Sequence, residues 1–216
     1  MKNGGRYRGS FIAGVPIEGS GMLRGPDGSF YEGSLLYGVP HGQGKLKLLD
    51  GSTYTGSFEF GIWSGEGSLM FSDGSTYVGA WHDGQYHGQG TLRLKSGYRY
   101  VGEWNMGEKH GLGRETVVLF GDTAEYEGVF SEDQRHGYGI RSWTNWKYIG
   151  EWQNGQRQGY GTTTFSSGFS YIGTFRDNQR WGRGTLLYPD GSSLIGTFEK
   201  GWPRNGELRN DGVIVG

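Results

Sequence analysis

The sequence predicts an all-β fold: one elongated, single-layer, twisted antiparallel meander of β-hairpins. Three observations lead there. Glycine supplies 45 of the 216 residues and recurs at set intervals. A tyrosine-x-glycine-x-aromatic unit returns along the whole chain. Between these landmarks, side chains alternate with the period of two that a pleated strand imposes.

The glycine is structural. Aromatic residues make up 15% of the chain and net charge is −1, whereas disordered chains are poor in the first and rich in the second. Nor does the glycine follow the period of three that a collagen helix needs.

Composition removes other classes. Cysteine is absent, so there is no disulfide framework and no thiolate metal site. The longest strictly apolar run, Val117 to Phe120, is too short to span a bilayer. Met1-Lys2-Asn3-Gly4 fits neither a signal peptide nor a myristoylation site. A near-zero charge argues against a dedicated nucleic-acid binder, whose footprint is basic. The expectation is a soluble chain of a reducing, cytoplasmic compartment.

The unit starts at Tyr7, Tyr31, Tyr54, Tyr77, Tyr100, Tyr126, Tyr148 and Tyr171, and a ninth copy starts at Leu194. Numbering each copy from its first residue, slot 3 is always glycine. Slot 5 is Phe11, Leu35, Phe58, Trp81, Trp104, Phe130, Trp152, Phe175 and Phe198. Glycine recurs at slots 8, 12, 14 and 21, with Asp133 and Asn178 at two of the slot-8 positions. Both types tolerate the left-handed backbone that a turn requires.

Slots 1, 3 and 5 share one face of a first strand, and slots 12, 14, 16 and 18 one face of a second. A turn around slots 6 to 11 is expected to set slot 5 opposite slot 12 and slot 3 opposite slot 14. The slot-5 ring would then cover the slot-12 glycine. The other face carries polar residues such as Glu32, Ser34, Gln43, Lys45 and Lys47. Asp-Gly at 50–51, 73–74 and 190–191 and Ser-Gly at 96–97 and 167–168 mark the turns between copies. About eighteen strands result, each repeat advancing ~10 Å along the sheet.

This pattern resembles the MORN (membrane occupation and recognition nexus) repeat. The fullest copy is Tyr77-Val78-Gly79-Ala80-Trp81-His82-Asp83-Gly84, continuing to His87-Gly88-Gln89-Gly90. The chain then divides into a tail, residues 1–6, and one MORN array, residues 7–216.

Two stretches break the pattern. Copy five carries a three-residue insertion between Gly113 and Tyr126, which reads as a longer hairpin with a bulge or as a partner-docking loop. At the end, Asp211-Gly212-Val213-Ile214-Val215-Gly216 opens a tenth unit that does not follow. Val213, Ile214 and Val215 would leave an apolar edge to be covered by a partner or by a second copy in a homodimer, the alternative being a chain cut short at this point.

No catalytic, cofactor or metal motif is present. Four of the five histidines, His41, His87, His110 and His136, occupy slot 11. They would stand ~10 Å apart along the sheet, too far to share one metal. The expectation is a non-enzymatic chain without cofactor or metal.

Charge is arranged in blocks. Residues 103–133 hold eight acidic residues against Lys109 and Arg114; residues 134–188 hold seven arginine or lysine residues against Glu151 and Asp177. Slot 10 changes along with them, from Pro40, Trp63 and Tyr86 to Lys109, Arg135, Arg157 and Arg180. The expectation is a basic ridge at the hairpin tips that binds an acidic partner together with Trp181, with Trp63 and Tyr86 as a second edge.

The resemblance implies a structural scaffold that binds other protein subunits of a larger cytoskeletal assembly. Glu125-Tyr126-Glu127-Gly128 and Trp143-Thr144-Asn145-Trp146 are similar to MORN subunits of the radial spoke head, which implies a cilium or flagellum axoneme. The alternatives are a membrane adaptor for anionic phospholipids and a regulatory subunit of a separate enzyme. The chain lacks the basic cluster that lipid recognition shows.

Overall fold

The computed structural model describes residues 5–209. They form eighteen strands and no helix. Two compact units divide between Glu108 and Lys109. The first holds β1 (Arg6–Ile12), β2 (Val15–Arg24), β3 (Phe30–Leu36), β4 (Val39–Lys47), β5 (Thr53–Glu59), β6 (Ile62–Met70), β7 (Thr76–His82), β8 (Gln85–Arg93) and β9 (Arg99–Asn105). The second is built from β10 (Glu108–Leu119), β11 (Asp122–Ser131), β12 (Gln134–Trp143), β13 (Trp146–Gln153), β14 (Gln156–Phe165), β15 (Ser170–Arg176), β16 (Gln179–Leu187), β17 (Ser193–Glu199) and β18 (Trp202–Arg209). Within each unit, successive strands pair antiparallel, as expected of a hairpin meander.

Two-residue turns at slots 7 and 8 close the hairpins within a copy. Both residues are left-handed, for instance Asp83 (φ 49°) with Gly84 (φ 74°). That is the geometry whose twist matches the flanking strands. Asp133 (φ 62°) and Asn178 (φ 66°) adopt it where glycine is missing, as their side chains allow. Between copies, the Asp-Gly signals lie in longer bends, such as the one from Lys47 to Thr53, in which only the glycine is left-handed. The Asp50 carboxylate accepts the Ser52 amide at 2.8 Å and its hydroxyl at 2.9 Å. The Ser52 hydroxyl oxygen then accepts the Ser72 amide of the next bend at 3.1 Å, which links neighbouring repeats.

The pairing within a hairpin differs from expectation in one respect. Slot 3 does face slot 14, as in Gly33 opposite Gly44. A bulge then intervenes, and Leu35 at slot 5 faces Pro40 at slot 10. Slot 12 faces slot 5 of the following copy instead, as in Gly42 opposite Phe58. Gly88 shows why the slot-12 glycine does not lie beneath a ring. Its backbone is left-handed (φ 56°), and a side chain there would point at Ala80, on the other face.

The tyrosine performs the covering role that the slot-5 ring was expected to have. In copies two, three, four, six, seven and eight the slot-1 ring crosses the slot-14 glycine, and its hydroxyl donates to the slot-4 carbonyl at the bulge. Tyr54 reaches Ser57 O at 2.9 Å and Tyr148 reaches Glu151 O at 2.9 Å. The bulge removes a ladder partner from that carbonyl, and the phenol replaces it.

In each unit the core is built on a row of rings. Tyr54 meets Phe58 of its own copy edge-to-face at 5.1 Å and Trp81 of the next at 5.3 Å. Tyr148 does the same with Trp152 and Phe175. Tyr54, Tyr77, Tyr100 and Tyr148 are fully buried in a sheet only one layer thick. Edge-to-face contacts of this kind add ~0.5–1.5 kcal/mol beyond burial.

The insertion in copy five forms a longer hairpin without the expected bulge. β10 and β11 stay in register to Leu119 opposite Asp122, and Phe120 sits exposed at the tip. The second face is polar in β3 and β4, where Glu32 faces Lys45. In the second unit it is mixed, with Arg114 still facing Glu127. There one row runs Ile140, Ile149, Thr162, Ile172, Thr185 and Ile195, all β-branched.

Candidate binding face

The slot-10 residues lie on the aromatic face, half-buried, and not on an outlying ridge of hairpin tips. The bulge explains the correction: it brings slot 10 opposite slot 5, beside the buried tyrosine of its own copy. Trp63 stacks on Tyr54 at 4.5 Å with planes 5° apart, and Tyr86 on Tyr77 at 3.7 Å and 14°. Both border one hollow of about 210 Å³ with Leu69 and Trp81, so the structure brings this predicted pair together.

In the second unit the same position holds cations over rings. The guanidinium carbons of Arg135, Arg157 and Arg180 lie 5.2, 5.5 and 5.7 Å from the centroids of Tyr126, Tyr148 and Tyr171. Lys109 Nζ lies 5.2 Å from the Phe130 centroid. Partly desolvated contacts of this type are worth about 0.5–2 kcal/mol each. Reversing these charges would therefore disturb folding as well as association.

Trp181 does not join this row. It lies in a separate hollow of about 340 Å³ with Arg176, Asp177 and Lys200, and the Arg176 guanidinium stands 5.1 Å from its ring. Val213, Ile214 and Val215 lie outside the described residues.

Slot 16 adds residues that slot 10 alone did not reveal. It lies between consecutive tyrosines on the same face and holds Leu46, Leu69, Leu92 and Leu186 in four copies. In copies five, six and seven it holds Glu115, Arg141 and Thr163. This break in the leucine pattern was visible in the sequence as the signal for the site.

Glu115 is buried and bridges two slot-10 cations. Its Oε1 lies 2.9 Å from Lys109 Nζ and its Oε2 2.5 Å from Arg135 Nη2. Burial opposes its ionisation, but the two cations outweigh burial and hold the carboxyl below its ordinary value. Arg141 and Arg157 flank the Trp146 ring, at 5.7 and 5.8 Å. Burial lowers the pKa of both guanidinium groups, and nearby arginines add to the effect. Arg141, Arg157 and Arg180 form no ion pair among the described residues.

The aromatic face of the second unit thus carries Lys109, Arg135, Arg141, Arg157 and Arg180, with Glu115 paired to the first two. Such a face can bind anions and aromatic or aliphatic groups together. Among the described residues, no three His, Cys, Asp or Glu side chains converge to hold a metal.

No curated protein matches the sequence. Among solved structures, the SAS-4 (dCPAP) TCP domain in complex with a proline-rich motif of Ana2 (dSTIL) of Drosophila melanogaster is similar at 11% identity and a TM-score of 0.43. The match covers 89% of this chain and 97% of that one. A model of the MORN repeat matches residues 31–53, 54–76, 77–97, 100–116, 126–147, 148–169 and 171–193. Each of these stretches begins on a buried tyrosine, and together they span most of the sequence: the chain belongs to the MORN repeat family.

Proposed function

We propose that this chain is a non-enzymatic scaffold that binds an acidic segment of another protein subunit on the aromatic face of its second unit. The observation that carries the reading is the charge of that face. Arg141, Arg157 and Arg180 are half-buried against rings and have no carboxylate partner among the described residues. Cations held out of water in this way favour an incoming anion, and the surrounding rings favour apolar side chains beside it. MORN repeats are interaction modules, which supports the same reading.

The finer reading is a subunit of a multiprotein cytoskeletal assembly, the radial spoke head of cilia and flagella in particular. Support for it comes from the sequence of copies five and six.

The test is affinity purification from the native source with the wild-type chain and with an Arg141→Gln, Arg157→Gln, Arg180→Gln variant. Far-UV circular dichroism checks that the variant is folded. The expected result is a partner that binds wild type, weakens as salt rises, and is lost from the variant. Equal capture by both chains would overturn the reading.

A further inference from the structure

Copy five shows what a pair of consecutive slot-10 cations accepts. Lys109 and Arg135 belong to neighbouring copies, and the Glu115 carboxylate sits between them with one oxygen on each. Glu115 occupies slot 16 and faces Tyr126 in register.

Two copies later the frame recurs without the carboxylate. Arg157 and Arg180 are again consecutive slot-10 cations. The slot-16 residue is Thr163, facing Tyr148 on one side and Tyr171 on the other. Thr163 is buried at 4% exposure, and its Oγ1 has no hydrogen-bond partner among the described residues. A hollow of about 580 Å³ opens at this place, bordered by Arg157, Thr163, Arg180, Phe165, Phe169 and Leu186. An unpartnered buried hydroxyl is costly, and here it stands beside two guanidinium groups that lack an anion.

We infer that this hollow is a carboxylate site: the side chain of a glutamate or aspartate in an extended partner segment takes between Arg157 and Arg180 the place that Glu115 takes between Lys109 and Arg135. The Thr163 hydroxyl donates to one carboxylate oxygen. Phe165, Phe169 and Leu186 receive an apolar residue next to the acid. The site deepens the interaction reading above and rests on it for the source of the ligand.

The test uses the full chain and two blocked pentapeptides, Ser-Leu-Glu-Leu-Ser and the same peptide with glutamine in place of glutamate. The Nε–Hε NMR signals of Arg157 and Arg180 report binding. The glutamate peptide should shift both, with an affinity roughly tenfold or more above that of the glutamine peptide, the advantage of a charge-assisted hydrogen bond. Thr163→Glu should supply the carboxylate from within, raise Tm and abolish the shifts. Thr163→Val keeps the shape, removes the donor, and should weaken the glutamate peptide severalfold while Tm holds. Signals unmoved by the glutamate peptide, or a Thr163→Glu chain that still binds it, would overturn the inference. Phosphatidylserine vesicles that move both signals when the peptide does not would replace it with a membrane surface. Partner capture that survives while the peptide response is absent removes the site and leaves the scaffold reading. A peptide response without any captured partner removes the reading and leaves the site.

Discussion

The ring of Tyr148 occupies the space into which Gly161 would extend a side chain. A Cβ there would stand 2.5 Å from the phenol oxygen and 2.6 Å from Cε2. Neither atom can withdraw, because the ring is fully buried and its hydroxyl is held by the Glu151 carbonyl. Gly161→Ala is therefore expected to cost ~1–3 kcal/mol by overpacking. Gly155→Asn, at a left-handed turn position with open space around it, should cost far less. Urea unfolding of both variants checks the difference, and equal losses would refute the account.

Alkaline titration should expose the buried tyrosines as a group. Burial raises Tyr31, Tyr54 and Tyr171 to about 12 and pushes Tyr77, Tyr126 and Tyr148 higher still. An unfolded tyrosine ionises near ~10. The folded state thus keeps its proton longer, so this stability is complete below pH ~10 and is lost as pH climbs toward 12 and beyond. Absorbance at 295 nm should show late, cooperative ionisation that coincides with loss of the far-UV strand signal. Smooth titration of all tyrosines near pH 10 in a folded chain would contradict it.

Glu115→Gln should be among the costly substitutions in the second unit. It leaves Lys109 and Arg135 half-buried without their shared carboxylate. Breaking a buried pair in this way costs roughly 3 kcal/mol. The same carboxyl makes stability acid-sensitive. Its folded pKa lies below the unfolded one, so its contribution is present above pH ~4.3 and is lost as pH falls through the folded value. Unfolding midpoints of wild type and Glu115→Gln should converge in acid.

Phe120 is exposed and left-handed (φ 53°) at the tip of the longest hairpin. A bulky residue there costs backbone strain, and asparagine followed by Gly121 is the preferred sequence for that turn. Phe120→Asn is expected to stabilise by up to ~1 kcal/mol, seen as a higher Tm. A lower Tm would mean that the ring makes a contact in solution.

Much of the fold was legible because each element repeats. Two-residue alternation placed Tyr54, Gly56 and Phe58 on one face, and the left-handed requirement identified Asp133 and Asn178 as turn residues. The error lay in the span from slot 6 to slot 12. A turn was expected to fill slots 6 to 11, whereas the chain turns at slots 7 and 8 alone and takes a left-handed step at the slot-12 glycine; the bulge restores slot 3 opposite slot 14 but leaves slot 5 facing slot 10. For the same reason Arg135, Arg157 and Arg180 were expected at exposed tips and are found stacked on tyrosines.

By itself, the sequence determined the strand number, the residues able to turn left-handed, the family and the aromatic face, since these follow from local spacing and backbone sterics. Only the tertiary structure decided which residues meet across the strands. A bulge changes register without changing composition. That register places Glu115 between Lys109 and Arg135, and it leaves Arg157, Thr163 and Arg180 around a hollow with no carboxylate of its own.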